Sequence, residues 1–186
     1  MPLPCHSLEN EPMLSDQKLV NDFLKSRSDK AFRKLYRDKT PHLYQMALRL
    51  TAFNEFEADE LVQQMWITAL RKLESFQWQS TLKTWLTGIL INLNRDELKK
   101  ESSKKKAIGQ LTVTRSTTAP HSGIDLENAL SKIPDGYRKV IILHDLEGYQ
   151  HKEIAALLGI SEGTSKSQLF QARKAMRQFL NLQKKP

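Results

Sequence analysis

Apolar residues recur every three or four positions along most of this chain, and that spacing places them on one face of an α-helix. The clearest stretch runs from Glu55 to Leu73, where the expected buried stripe consists of Ala58, Leu61, Val62, Met65, Trp66, Ala69, Leu70 and Leu73. Alternation typical of a strand is limited to one short run, Leu111 to Thr114. The pattern therefore predicts an all-α protein.

Five periodic segments fall within the first hundred residues. They begin near Val20, near Phe32, after Thr40, at Glu55 and near Ser80 or Thr81. The third is predicted to be a separate helix, because a proline that follows a capping residue favours the first helical position, as Pro41 would after Thr40. In the fifth segment, polar residues interrupt the apolar stripe and are expected to face outward, namely Gly88, Asn92, Arg95 and Lys99.

A second group of periodic segments begins at Leu126. Pro134-Asp135-Gly136 ends its first helix, and another helix is expected from Tyr137 to Leu146. Next come a helix from His151 to Leu158, a turn at residues 159–161, and a long helix that starts at Glu162 with Ser161 as its N-cap. Two helices joined by so short a turn are typical of a helix-turn-helix.

Composition divides the chain further. Residues 101–124 are rich in Ser, Thr and Lys, contain Pro120 and lack a sustained apolar period, so they are interpreted as a flexible linker. We therefore predict two small helical domains, at residues 16–100 and 125–186, with an N-terminal extension at 1–15. The second domain contains the helix-turn-helix.

Charge and cysteine content narrow the possible functions. The net charge of +8 favours a polyanionic partner, with nucleic acid ahead of an acidic protein or a membrane. A single cysteine, Cys5, excludes an intramolecular disulfide and a cysteine-rich zinc site. The chain has no membrane-spanning apolar run and no signal peptide pattern at its start, so a cytoplasmic protein without membrane insertion is expected.

Three blocks of residues together resemble a known family. They are Ala58 to Gln64, then Ser80 to Asp96 with its Thr84-Trp85-Leu86, then Glu147 through Arg173. In this order and separation they are similar to bacterial RNA polymerase sigma factors of the extracytoplasmic-function group, over about residues 16–100 and 125–182. The resemblance implies that the first domain binds core RNA polymerase and melts the promoter's -10 element, while the second reads the -35 element. It also implies an anti-sigma factor as a partner.

The helix from Glu55 to Leu73 carries a polar, acid-rich patch beside its apolar stripe. Such a patch suits a basic helical surface on another protein, and the resemblance assigns it to the clamp helices of the largest polymerase subunit. The alternative is an ordinary solvated helix face. Gln64 stands where the family usually has Glu, so one charge-assisted contact is weakened. The expected core-binding residues are Asp59, Glu60, Gln63 and Gln64.

The -10 element would be captured as single-stranded DNA, which proteins hold by aromatic stacking over a basic groove. Phe76 and Trp78 supply aromatic rings in a polar connection, although packing under the loop is an equal alternative for Phe76. Trp85 is expected in the core, and Leu82 replaces the common Phe of the family. The candidate -10 residues are Phe76, Trp78, Lys83, Asn92, Arg95 and Lys99.

The last helix has a second face that suits duplex DNA. Arginine and lysine match phosphate or guanine, and glutamine matches adenine. Phe170 is expected either to touch a thymine methyl or to shield backbone. Ser165, where the family usually has a buried Val, should loosen packing unless its hydroxyl bonds a carbonyl. The candidate -35 residues are Lys166, Ser167, Gln168, Phe170, Gln171, Arg173 and Lys174.

Catalytic and metal chemistry are not expected. The five histidines lack ligand spacing, and no phosphate loop or nucleophile elbow is present, so we predict no cofactor, no metal and no enzyme activity. His144 and His151 are expected to have a structural or phosphate-contacting role. The main rival is a stand-alone helix-turn-helix regulator, which leaves the tryptophan-bearing basic helix of the first domain unexplained. A pure protein-interaction module leaves Lys166, Gln168 and Gln171 unexplained.

Overall fold

The computed structural model describes residues 10–107 and 125–183, which form eight α-helices and contain no β-strand. Within that part of the chain, no helix is long and apolar enough to cross a membrane. A 3₁₀ turn, Leu73–Ser75, follows α3, and a π-helical turn, Ile142–Leu146, follows α6. The helices are α1 Asn10–Ser26, α2 Asp29–Leu50, α3 Glu55–Lys72, α4 Leu82–Ala107, α5 Asp125–Lys132, α6 Asp135–Ile141, α7 His151–Leu158 and α8 Glu162–Gln183.

Helix α3 packs against both α2 and α4, and the core of the first domain lies between these three helices. The predicted stripe of α3 is buried except for Leu70, which is half-buried. Trp66 also donates its indole N–H to Thr40 Oγ1 of α2 at 3.0 Å. Because the polar atom of this large side chain is satisfied, Trp66 can be buried without an unpaired donor. The fully buried side chains at the centre are Leu43, Met46, Leu50, Met65, Leu86, Leu90 and Ile91.

The predicted break at Thr40 and Pro41 is wrong, because α2 is one continuous helix with Pro41 inside it. Proline removes one helical hydrogen bond, and inside a helix it usually kinks or breaks it. Here Pro41 is exposed, so solvent reaches this side of the helix. Leu35 before it and Leu43 after it are both buried in the same core. Tertiary packing on either side therefore overrides the local preference of proline.

Two of the predicted helix starts, those of α4 and α8, have the side-chain caps on which the prediction depended. Thr81 Oγ1 accepts the N–H of Thr84 at 3.1 Å just before α4, and Ser161 Oγ accepts the N–H of Thr164 at 3.0 Å just before α8. Each hydroxyl satisfies one of the backbone donors that the first helical turn leaves free. The prediction that Ser161 caps the last helix is confirmed.

Two helices cross the boundaries that the sequence indicated. Helix α1 begins at Asn10, within the stretch predicted as an extension, and α4 continues to Ala107, through the first residues assigned to the linker. A basic, serine-containing tail can be helical when a packed helix precedes it, because adding residues to an existing helix avoids the cost of nucleation. The remainder of the predicted linker, residues 108–124, lies outside the described residues.

The second domain packs α5, α6 and α7 around α8. The turn between α7 and α8 contains Gly159 with φ +66°, a left-handed conformation that glycine adopts without steric cost. The helix predicted from Tyr137 to Leu146 is observed as α6 and the π-helical turn, and Pro134 precedes its first residue. The helix-turn-helix prediction is thus confirmed in α7 and α8.

The two domains touch through a buried carboxylate. The side chain of Glu147, which follows the π-helical turn, is only 3% exposed. Its Oε2 lies 2.7 Å from His42 Nε2 of α2 and 3.3 Å from Lys83 Nζ of α4. Helix α7 also approaches α4 at Gly88, where an added Cβ would lie 3.4 Å from Leu157. The outward face of α4 therefore supports the second domain along part of its length.

Candidate functional site

The acid-rich face of α3 is exposed as predicted. Helical spacing places residues three and four apart side by side, and Asp59, Glu60, Gln63 and Gln64 are all exposed. Sequence reasoning missed two apolar residues that extend this face. Phe56 is 71% exposed and Ile67 is 43% exposed, and they lie one turn before Glu60 and one turn after Gln63. The sequence did contain a signal for their exposure, because both are apolar residues that lie outside the periodic stripe expected to be buried.

Three aromatic rings meet where the connection after α3 enters α4. The ring centroids of Phe76 and Trp78 are 4.7 Å apart, and Phe76 stacks on Trp85 at 4.7 Å and 24°. All three side chains are half-buried, so Trp85 is less buried than expected, and Phe76 packs against the core while part of its surface stays exposed. Trp78 has φ +57°, a conformation that is strained for a bulky residue. The packed trio holds Trp78 in that position with part of its ring surface open.

The outward residues of α4 separate into two groups. Asn92 and Lys99 are exposed. Lys83, in contrast, is drawn to the buried Glu147, and Arg95 lies against the second domain, with Nη1 3.9 Å from the position that a Cβ on Gly159 would take. Domain contacts of this kind have no local sequence signal. Two of the six candidate -10 residues, Lys83 and Arg95, therefore lie at the contact with the second domain.

The second face of α8 presents most of the predicted -35 residues. Helical spacing exposes Lys166, Ser167, Gln171 and Lys174 along one side, and Phe170 is 61% exposed among them. Gln168 is half-buried and lies beside Gly136, where its Nε2 would be 3.7 Å from an added Cβ. An apolar ring so exposed between polar residues is available for contact with a partner.

Arg173 differs from the other candidates on α8 because its guanidinium is already paired. Nε donates to Asp145 Oδ2 at 2.9 Å and Nη2 donates to Asp145 Oδ1 at 2.6 Å, a bidentate arrangement. The hydrogen bond from Arg173 is the main reason that the pKa of Asp145 lies below its usual value, and the same bond raises the pKa of Arg173. In this conformation Arg173 holds the π-helical turn against α8.

Ser165 and two histidines form a polar cluster beneath the helix-turn-helix. Ser165 is fully buried, and its Oγ lies 2.9 Å from His151 Nδ1. The hydroxyl is thus satisfied by a side chain and not by the backbone carbonyl that sequence reasoning considered. The rings of His144 and His151 lie 4.8 Å apart, and His144 Nδ1 bonds Asp145 Oδ1 at 2.7 Å. Among the described residues, no group of three or more His, Cys, Asp or Glu side chains is arranged to hold a metal.

Comparison with protein families matches both domains. The family model for Sigma-70 region 2 matches residues 35–104, and the model for Sigma-70, region 4 matches residues 124–176. The first match contains α3 with its acid-rich face and the connection to α4. The second contains the helix-turn-helix. Together they cover more than half of the chain.

Individual relatives agree with these family matches. The chain is 29% identical over 152 residues to the ECF RNA polymerase sigma factor SigM of Mycobacterium tuberculosis, covering 81% of this chain and 77% of that protein. It is 33% identical over 145 residues to the ECF RNA polymerase sigma factor EcfG of Rhodopseudomonas palustris, covering 75% and 80%. Among solved structures, the sigma factor RpoE of Bartonella quintana, in complex with the anti-sigma factor NepR, aligns with a TM-score of 0.69 at 27% identity, covering 82% and 98%.

The histidine beneath the helix-turn-helix predicts a pH dependence of stability. Burial lowers the pKa of His151 below its usual 6.5; His144, Lys166 and Arg173 act in the same direction, and Glu162 opposes them. The unfolded chain therefore takes up this proton at a higher pH than the folded chain does, so stability should fall as the pH drops below about 6.5. Thermal unfolding at pH 7.5 and 5.5 measures the difference in Tm.

The same measurement on two variants isolates His151. In His151→Asn, the fall in Tm between the two pH values should be smaller than in the unmodified protein. His121→Asn makes the same substitution in the predicted linker and should leave the fall unchanged. An equal fall in the unmodified protein and in His151→Asn would contradict the assignment.

Proposed function

Because this chain belongs to the extracytoplasmic-function group of RNA polymerase sigma factors, we propose that its exposed polar surfaces divide core binding and promoter recognition between them. As a member of this family, the protein binds core RNA polymerase and directs promoter-specific initiation of transcription. The observation that carries the division of roles is that an uncovered acid-rich face on the first domain accompanies an uncovered polar face on the helix-turn-helix of the second.

The acid-rich face of α3 is proposed to bind core polymerase. Asp59 and Glu60 supply negative charge, Gln63 and Gln64 supply amides, and the second domain leaves all four exposed. The exposed Phe56 and Ile67 add apolar contacts at the two ends of this face. Protein interfaces of this kind combine apolar anchors with complementary charge that guides association. A basic helical surface of the largest polymerase subunit fits these requirements.

The -10 element is proposed to bind around the aromatic trio and the free part of α4. Trp78 offers a half-exposed ring for stacking, Asn92 offers an amide for a base edge, and Lys99 adds positive charge for the phosphates. Phe76 contributes by supporting Trp78. We propose that Lys83 and Arg95 join this surface only when the second domain moves away, because both now lie at the contact between the domains.

The -35 element is proposed to bind along the exposed face of α8. An α-helix fits into the major groove of DNA, where its side chains reach base edges and phosphates. Gln168, Phe170 and Gln171 are assigned to base contacts, and Lys166, Ser167 and Lys174 to contacts that include the backbone. Arg173 is assigned to orienting α8 through Asp145, in place of the direct DNA contact predicted from the sequence.

An anti-sigma factor is proposed as a further partner. The solved relative from Bartonella quintana is bound to such an inhibitor, and its likeness covers both domains of this chain.

We also propose that the protein acts in the cytoplasm, where polymerase and promoter DNA meet, and that it catalyses no reaction of its own. The rival interpretation, a stand-alone regulator, is not favoured, because region 2 of the family accounts for the first domain that this rival left unexplained.

Reversing charge on α3 should weaken polymerase binding. Asp59→Lys combined with Glu60→Lys places two positive charges against a basic partner surface, and like charges at an interface repel. We expect affinity for core polymerase to fall by about tenfold or more. Asp22→Lys, a similar change of an exposed acid on α1, should have little effect. Unchanged retention of core polymerase by the double variant in a pull-down would show that this docking face is wrong.

Two substitutions on α8 should separate sequence preference from affinity. A lost base contact costs about 1–3 kcal/mol and relaxes preference at one position, whereas a lost phosphate contact weakens all sequences alike. Gln171→Ala should therefore alter specificity, and Lys166→Ala should mainly lower affinity. Binding to a library of -35 sequences measures both, with the exposed Gln178→Ala of the same helix as control. Uniform loss from both substitutions would refute the division.

Promoter melting should depend on Asn92 and Trp78. Asn92→Ala and Trp78→Ala should reduce open-complex formation on duplex promoters, because they remove contacts to unpaired bases. The defect should be much smaller on a template already mismatched at the -10 element, where unpairing costs nothing further. Permanganate footprinting of thymines measures opening on both templates, with the exposed Gln77→Ala as control. Equal defects on the two templates would assign these residues to folding or polymerase docking.

A further inference from the structure

A groove of about 540 Å³ lies between α3 and α4, on the side of the first domain that carries the acid-rich face. Glu60 and Gln64 belong to both, so the groove opens directly onto the proposed polymerase-binding surface. Leu61 and Leu93 line its apolar part. Its walls carry more negative than positive charge, because four carboxylates accompany the single ammonium of Lys100. These carboxylates are Glu57, Glu60, Asp96 and Glu97.

Asn94 adds a feature that the fold of the first domain does not explain. Asn94 lines the groove and is only 2% exposed. Its side-chain oxygen, Oδ1, is buried and has no hydrogen-bond partner among the described residues. A buried acceptor left unpaired costs free energy, so such atoms are rare in folded proteins. Oδ1 itself is closed to solvent, so a donor in the groove would satisfy it once the Asn94 side chain turns toward the groove.

The chemistry of the groove indicates the kind of ligand. Carboxylates and an amide oxygen are acceptors, so they call for a ligand with several donors and positive charge. A metal ion does not fit, because the described residues contain no group of three or more suitable ligands close enough to hold one. An arginine side chain does fit. Its guanidinium has five donors in a planar fork, and its aliphatic stem would pack along Leu61 and Leu93.

We propose that this groove receives an arginine side chain of the core polymerase subunit that docks on α3. The proposal rests on the proposed function of the acid-rich face and extends it into the groove beside α4. Asn94 Oδ1 accepts one guanidinium N–H, and Glu97 supplies charge at the edge. Glu97 now accepts from Lys100 Nζ at 3.1 Å. Both side chains of this pair are exposed, and exposed ion pairs contribute little to stability. Replacing Lys100 by the incoming arginine as the partner of Glu97 therefore costs little free energy.

Two substitutions test the groove without altering the acid-rich face. Asn94→Leu removes the unpaired oxygen together with the amide nitrogen and keeps the number and branching of the side-chain heavy atoms, and Glu97→Gln removes one exposed charge. Titration of the labelled full chain with core polymerase should show affinity about five- to tenfold lower for each. Asn94→Leu should also keep or raise the Tm of the free protein, because it removes an unsatisfied polar atom. Weaker binding by a protein that is no less stable is the signature expected of a ligand site.

Matched controls come from the same domain. Thr87 is fully buried in α4, its Oγ1 also lacks a partner among the described residues, and it does not line the groove. Thr87→Val should therefore match Asn94→Leu in stability while binding polymerase normally. Asp22→Asn removes an exposed charge elsewhere and should also bind normally. The loss in Glu97→Gln should shrink at high salt, as expected for a charge interaction.

The outcomes separate this proposal from the docking face itself. Weaker binding by Asn94→Leu and Glu97→Gln, with normal binding by both controls, supports the groove. Normal binding by both groove variants, when the double variant of Asp59 and Glu60 is impaired, overturns the groove and leaves the docking face intact. Normal binding by all of them overturns both. Should Asn94→Leu fail to fold, the exposed Glu97→Gln decides the question alone.

Discussion

The packing of α3 between α2 and α4 is the interaction on which the first domain depends. This packing buries the apolar stripe of α3 and leaves the remaining face of the helix exposed to solvent. Because an α-helix has a fixed period, burying Met65 and Trp66 determines that Asp59 and Gln63 point outward. The exposed acid-rich face is therefore a consequence of the core. The groove beside it is lined by residues of both α3 and α4, with Asn94 among them.

In the second domain, the position of α8 is fixed by polar contacts as well as by apolar packing. Leu169, Ala172 and Met176 bury one side of the helix. The bidentate pair of Arg173 with Asp145, and the contact of Ser165 with His151, then tie α8 to the segments before it. Such bonds have direction, so they restrict how the helix rotates about its axis. A reading helix needs that restriction, because a small rotation would change which side chains reach DNA.

Much of this architecture could be predicted from local patterns. The stripe of α3, the cap at Ser161 and the helix-turn-helix all follow from residues close together in sequence. The continuity of α2 through Pro41 could not, because distant side chains on both sides of the proline decide it. The same holds for the partners of Lys83 and Arg173, which are separated from them along the chain. The predicted roles of the site residues remain predictions, whereas their exposure is a property of the fold.

Glu147 forms a contact between the two domains that competes with their separation. Its carboxylate belongs to the second domain and its two basic partners belong to the first, so this contact exists only while the domains touch. If reading two promoter elements requires the domains to part, only the fraction of molecules already parted is ready to bind. The apparent dissociation constant then equals the intrinsic one divided by that fraction. A change at His42, which lies outside every proposed recognition surface, would adjust promoter occupancy by altering this fraction alone.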